Sequence, residues 1–295
     1  MPTKHIRGSE DLQTKHDAIR EGFLLQALQK SQKATPFVER AKEFHAVLKN
    51  IKSLNELLAL EEFRDEIVAA SGFSDKSKAR MTEAELTESV RKVLQKVIKN
   101  SADGFREEIL YRYLLTKGDA LGGSMRNLTG ASAGEKITGI ILSKLKQNKK
   151  KAEILTSKSG KIQRIIWKNR VLMLDATPKI IGKNIDVILL NSINKYSSEQ
   201  ELLENPKNFI ACGELKGGID PADADEHWKT ANSALERIRT ALGSNCPKLF
   251  FIGAAIEVSM AKEIFSQLSD GRLSYVANLT NEKQLDKIAE WLVSL

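Results

Sequence analysis

Three ionisable residues stand where apolar runs give way to polar ones. Asp186 lies near the start of "NIDVILLN" (Asn184 to Asn191), whose stretch Val187 to Leu190 reads as a buried strand, and a carboxylate there needs a partner. Glu214 and Lys216 close "NFIACGELK" (Asn208 to Lys216), a second strand pattern, and residues two apart on a strand project from one face. If these strands are neighbours, the three side chains converge. Two carboxylates and an ammonium suit metal-assisted hydrolysis of a phosphodiester. Hard oxygens bind Mg2+, which takes one or two protein carboxylates and keeps several waters, while the lysine orients the attacking water or stabilises the pentacovalent state. A structural ion pair between Lys216 and either acid is the plain alternative.

The residues that follow, "GGIDPADADEHWKTA", combine a turn and a helix start. Gly217 and Gly218 let the backbone turn. Asp220 suits an N-cap, Pro221 the first helical position, and Asp223 and Asp225 the acidic first turns, so part of the local acidity is explained by capping. His227 falls about two turns into this helix, near the face of Ala231, Ala234 and Ile238 expected to pack on the sheet. It is either a packing residue or a group that takes a proton from the attacking water. A second stretch, "KGDALGGSMRNLTGASAGEKI" (Lys117 to Ile137), reads as a glycine-rich loop in which Arg126 and Asn127 could meet phosphate or base edges. It contains neither a Walker loop nor the setting of a dinucleotide fold. Glu135 is expected to start the next helix, as a cap or as a further carboxylate.

These groups must be held by recognisable elements. Residues from about Asp11 to Asn148 read as successive helices; in "TEAELTESVRKVLQKVIKN", Thr82 and Glu85 form a capping box, and Leu86, Val90, Val93, Leu94, Val97 and Ile98 line one face. After the lysine run Lys146 to Lys151, strand patterns appear at Lys161 to Trp167, Arg170 to Ala176, Asn184 to Asn191 and Asn208 to Lys216. A helix from Pro221 to about Leu242, a strand in "KLFFIGAAI", a helix near Ser259 to Leu268, a strand in "LSYVANL" and a closing helix, Glu282 to Leu295, complete the pattern. The expectation is an α/β (α+β) fold with a mixed sheet flanked by helices and preceded by a helical region.

Of 295 residues, 46 are Lys or Arg and 38 Asp or Glu, a formal charge of +8 that leans toward a polyanionic partner. The only cysteines, Cys212 and Cys246, lack metal-ligand spacing and point to a reducing compartment. With no signal-type segment and no apolar stretch long enough for a membrane helix, a cytoplasmic protein free of membrane contact is expected.

The stretch "GELKGGIDPADADEHWKTA" resembles the active-site signature of type II restriction endonucleases of the AvaI/BsoBI kind, within the PD-(D/E)xK nuclease superfamily; related enzymes of the XmaI and Cfr9I kind, which cut CCCGGG, are the other group it points to. The resemblance rests on an ordered set: an acid 28 residues before the glutamate, a lysine two after it and a histidine 11 after the lysine. It covers about Gly118 to Thr230, and residues before about 102 share only helical character.

The resemblance implies a PD-(D/E)xK core over 102–295 preceded by a DNA-embracing helical region over 1–101. It implies Asp186 and Glu214 as Mg2+ ligands, Lys216 as the superfamily lysine and His227 as candidate general base. It also implies Lys183 and Asp220 as base readers; lysine can donate to guanine and aspartate can accept from cytosine in the major groove, although capping competes for the Asp220 oxygens. The expected protein is a homodimer that cuts both strands of a palindromic, G·C-rich hexamer of CYCGRG or CCCGGG type in double-stranded DNA, leaving 5′ overhangs. A cognate DNA methyltransferase is expected in the same system, without direct contact. A repair or junction nuclease of the same superfamily would share Asp186, Glu214 and Lys216 without a fixed cleavage sequence, and a non-catalytic DNA-binding protein would share only the basic charge.

Overall fold

A computed structural model of the chain describes residues 6–101, 104–191 and 199–295, the side chains at 126, 127 and 199 excepted. The elements run α1 (His16–Leu48), α2 (Leu54–Leu58), α3 (Arg64–Ala70), α4 (Asp75–Lys78), α5 (Glu83–Ser101), α6 (Phe105–Gln147), β1 (Glu153–Thr156), β2 (Ile162–Trp167), β3 (Arg170–Ala176) and β4 (Ile185–Asn191). There follow α7 (Glu199–Glu204), β5 (Phe209–Lys216), α8 (Ala224–Leu242), β6 (Lys248–Gly253), α9 (Val258–Ser269), β7 (Tyr275–Asn278) and α10 (Glu282–Ser294). Two compact units result: Met1–Phe23 with Leu128–Leu295, and Leu24–Asn127. The division expected between residues 101 and 102 falls inside the second unit, and residues 102 and 103 lie outside the described ones.

The second unit is helical. Phe44 and Leu48 of α1, Leu57 of α2, Ile67 of α3, Leu86, Val90, Leu94 and Val97 of α5, and Phe105, Ile109 and Tyr113 of α6 form its core. The start of α5 is closed as its sequence dictates: Thr82 N donates to Glu85 Oε2 at 2.8 Å, and Glu85 N donates back to Thr82 Oγ1 at 3.3 Å.

The first unit is built on a seven-stranded sheet in the order β1-β2-β3-β4-β5-β6-β7. The first five strands pair antiparallel, and β5, β6 and β7 pair parallel through the crossovers that contain α8 and α9. Period-2 alternation decides which core each side chain enters. In β4, Ile188 and Leu190 face one core, with Trp228, Ala231, Leu235 and Ile238 of α8 and Ile264 of α9; Val187 and Leu189 face the other, with Ile137, Ile141 and Leu145 of α6 and Ile288 and Leu292 of α10. Both faces are covered, so β4 carries a continuous apolar run rather than an alternating one.

The stretch Lys117–Ile137, expected as a loop, lies wholly within α6. Glu135 is therefore an exposed mid-helix residue rather than a helix start. A side chain added at Gly118, Gly122, Gly130 or Gly134 would meet nothing within 4 Å, so these glycines serve neither a turn nor a close approach. Each costs about 1 kcal/mol of helix propensity relative to alanine, and burial of Leu121, Ala133, Ile137, Ile141 and Leu145 along the same helix offsets that. Among the described residues no helix is long and apolar enough to cross a membrane.

Candidate active site

Alternation places the chemistry as well as the core. Cys212 and Ile188 point toward α8, so Glu214, Lys216 and Asp186 share that face. The β4–β5 ladder reaches Val187 opposite Gly213, and beyond that pair a side chain takes over: Leu215 N donates to Asp186 Oδ2 at 2.8 Å. Asp186 is thus fixed to the neighbouring strand by a backbone donor. Lys216 Nζ donates to the same Asp186 oxygen at 3.2 Å and to Glu214 Oε2 at 2.9 Å. On its other side β5 is secured by β6, with Ala254 N donating to the Lys216 carbonyl at 2.8 Å.

The balance of charge within the cluster is uneven. Glu214 has a side chain only 5% exposed and an Oε1 that is buried with no hydrogen-bond partner. Burial first, and then the neighbouring Asp186, push its carboxyl up to about 7 against the opposing pull of Lys216. The Lys216 ammonium is held above its ordinary range, because Asp186 and Glu214 together outweigh the desolvation that opposes its charge. One ammonium therefore serves two largely buried carboxylates, and a buried oxygen is left over.

That surplus fits a small hard cation. Asp186 and Glu214 supply two oxygen donors, which matches Mg2+ because the ion satisfies its remaining positions with water and substrate oxygens. Among the described residues no group of three or more His, Cys, Asp or Glu side chains converges, so a closed all-protein cage is absent there.

Past Lys216 the chain turns through Gly217 and Gly218, and three helices press on that turn. A Cβ on Gly217 would lie 2.6 Å from the Thr129 carbonyl oxygen and 2.9 Å from the Ala133 Cβ of α6. One on Gly218 would lie 2.4 Å from His227 Cε1 of α8, and one on Gly22 of α1 would lie 2.6 Å from the Ile219 side chain. His227 is half-buried, with a buried Nδ1 that has no hydrogen-bond partner. Its helix is anchored by the next residue, Trp228, whose ring meets Phe251 edge-on at 5.0 Å.

Asp220 acts as the cap that its sequence setting predicts: Oδ1 accepts from Ala222 N at 2.9 Å. The capped element is a 3-10 turn, Pro221–Asp223, and α8 begins only at Ala224. Lys183 is exposed in the turn before β4. The side chains of Arg126 and Asn127 lie outside the described residues, and their backbone is helical rather than part of a loop. Sequence reasoning did not single out Asp175. It stands across from Asp186 in the β3–β4 register, between the pairs Leu174–Val187 and Ala176–Ile185, with a left-handed φ of 51° and an ion pair to Lys161 at 2.5 Å. The one available signal was a charged residue interrupting an otherwise apolar strand.

The sequence pattern of the family described as restriction endonuclease BsobI matches residues 3–295. The chain is 38% identical over 314 residues to the type II restriction enzyme BsoBI of Geobacillus stearothermophilus, covering 99% of this chain and 97% of that protein. It is 39% identical over 311 residues to the type II restriction enzyme AvaI of a Nostoc species, covering 99% of this chain and 98% of that protein.

Proposed function

The chain belongs to the restriction endonuclease BsobI family, and on that footing we propose that it is a type II restriction endonuclease, hydrolysing phosphodiester bonds in both strands of double-stranded DNA at a defined sequence. The observation that carries this reading is the convergence of Asp186 and Glu214 on Lys216 at the β4–β5 strand end, with Glu214 Oε1 buried and unpaired.

In this reading Asp186 and Glu214 would hold Mg2+, which when bound would neutralise phosphate charge and lower the pKa of water. Lys216 turns its ammonium toward the non-bridging phosphate oxygens, where it stabilises the charge of the pentacovalent state. His227 takes the proton of the attacking water through a ring nitrogen as water adds to phosphorus and the bond to the 3′ oxygen breaks, and the departing 3′ oxygen takes a proton from solvent water to leave as the alcohol. Asp186 keeps its orientation during these changes because the Leu215 N–H holds it.

Specificity in this reading comes from Lys183 and Asp220, which flank the cluster in sequence and read guanine and cytosine edges, with Arg126 and Asn127 as further DNA contacts. Residues 1–101 embrace DNA and residues 102–295 form the nuclease core. A homodimer matches a palindromic CYCGRG or CCCGGG target, places one centre on each strand and leaves 5′ overhangs. A methyltransferase of the same system protects that sequence without contacting this chain. Digestion of phage DNA in Mg2+ tests the reading. Discrete fragments whose sequenced ends share a G·C-rich hexamer with 5′ extensions are expected, and a smear would instead favour a nuclease without a fixed sequence.

A further inference from the structure

We propose that Gly218 is a positioning residue for this reaction, its missing side chain being what seats the His227 imidazole against the end of the catalytic strand. The inference rests on the proton-accepting role given to His227 above. Gly218 is not among the glycines with left-handed backbone, so its conformation does not require glycine. What requires it is space. A Cβ at 218 would lie 2.4 Å from His227 Cε1, 3.1 Å from Nδ1 and 3.4 Å from Nε2, so the ring lies against the Gly218 backbone.

The turn cannot recoil to make room. Gly217 is already close to the backbone carbonyl of Thr129 and the Ala133 methyl, and Ile219 is seated where α1 offers Gly22 rather than a larger residue. Upstream, Lys216 is tied to β6 through Ala254 N and to both carboxylates through its ammonium. The helix that carries the histidine is fixed by the buried Trp228. The three heavy atoms nearest that Cβ all belong to the imidazole, a side chain able to rotate while strand, turn and helix stay in place. A methyl group at 218 therefore displaces the ring and little else.

This makes a prediction about pairs of substitutions that an ordinary packing role does not make. Gly218→Ala should slow single-turnover cleavage of a plasmid that the wild-type protein cuts, by the same factor as His227→Ala, on the order of 10²- to 10⁴-fold for a lost general base. The double variant Gly218→Ala/His227→Ala should be no slower than His227→Ala alone, because the new methyl enters space the ring has left. All three should bind the plasmid without Mg2+ as the wild type does. The chain has four histidines, so the His227 ring can be assigned in an imidazole nitrogen–proton spectrum by its loss in His227→Ala, and its resonance should move in Gly218→Ala. If Gly218→Ala folds poorly, the double variant should regain stability.

Wild-type cleavage by Gly218→Ala, effects that multiply in the double variant, or a double variant as unstable as Gly218→Ala would each overturn the proposal. Near wild-type turnover by His227→Ala would overturn the role of the histidine itself, and is distinguishable because it appears before any change at 218.

Discussion

Each unit of the molecule buries a glutamate beside a cation, and in each one glutamate oxygen has no partner. In the helical unit it is Glu66 Oε2; in the sheet unit it is Glu214 Oε1. An orphan oxygen alone therefore does not mark a site. In the helical unit the cation is Arg40, whose planar fork serves three acceptors: Nε to Glu66 Oε1 at 3.0 Å, one terminal nitrogen to Glu43 at 2.8 Å and the other to the Glu62 carbonyl at 2.5 Å. The guanidinium also lies 4.1 Å from the centre of the Phe63 ring. Its hydrogen bonds to Glu66 and Glu43 raise the arginine above its usual range, and the excess acids Glu43 and Glu62 are exposed, so water compensates them. In the sheet unit one point charge serves two carboxylates that water reaches poorly, and Glu214 responds by holding its proton. The first cluster is closed and structural. The second carries unbalanced charge at an open strand end, a condition relieved by a cation.

That contrast can be broken at several strengths. The largest expected effect is Glu214→Ala, which should reduce cleavage at least about a thousand-fold, about 4 kcal/mol of barrier at 1.4 kcal/mol per tenfold, while DNA binding without metal persists. Glu66→Ala should leave the rate per folded molecule unchanged; equal losses in the two variants would erase the distinction.

Next is the pH response of stability without metal. Folded Glu214 binds its proton near 7 against an ordinary 4.5, so the folded state holds more protons between those values. Its contribution to stability is fully present below about 4.5 and is lost as pH rises through 7, up to about 3 kcal/mol at 1.4 kcal/mol per unit. Urea unfolding in chelator at pH 5 and pH 8 should show this fall in the wild type and a flatter profile in Glu214→Gln; identical slopes would remove Glu214 as its source.

Third, Glu66→Ala should cost about 2 kcal/mol in urea unfolding, since it leaves the Arg40 fork short of an acceptor. The smallest effect is at Asp220. Loss of the cap in Asp220→Ala should cost about 1 kcal/mol. Relaxed discrimination at one base pair would add base reading to its duties, and unchanged specificity would leave it a cap.

The sheet was legible because its signals are local. Both faces of β3, β4 and β5 are covered, so each reads as an apolar run, and the expected spans agree with the observed ones to within a residue. The convergence of Asp186, Glu214 and Lys216 follows from strand parity given that β4 and β5 are neighbours. Features set by tertiary packing, or lacking a pattern of their own, were not legible. Glycine content made Lys117–Ile137 look like a loop, because its propensity penalty is visible in sequence while the burial of Ala133 and Ile137 that overrides it is tertiary. The short edge strand β1 is exposed throughout and carries no alternating pattern. The residue type of Gly217 and Gly218 predicts a turn, whereas their close approach depends on Thr129 and His227 lying across from them, which local sequence does not encode.

The position of β5 has a consequence for how the protein is made. Its partner on one side, β4, precedes it at short range, and its partner on the other, β6, arrives only after α8. Asp186, Glu214, Lys216 and His227 all lie within residues 186–227, so during synthesis the cluster can form before the parallel half of the sheet exists. Loop closure is cheapest for such near contacts and dearest for distant ones. The order of assembly then runs from the chemistry outward, with β6 and β7 extending the sheet and α10 covering its opposite face after the carboxylates have met their lysine.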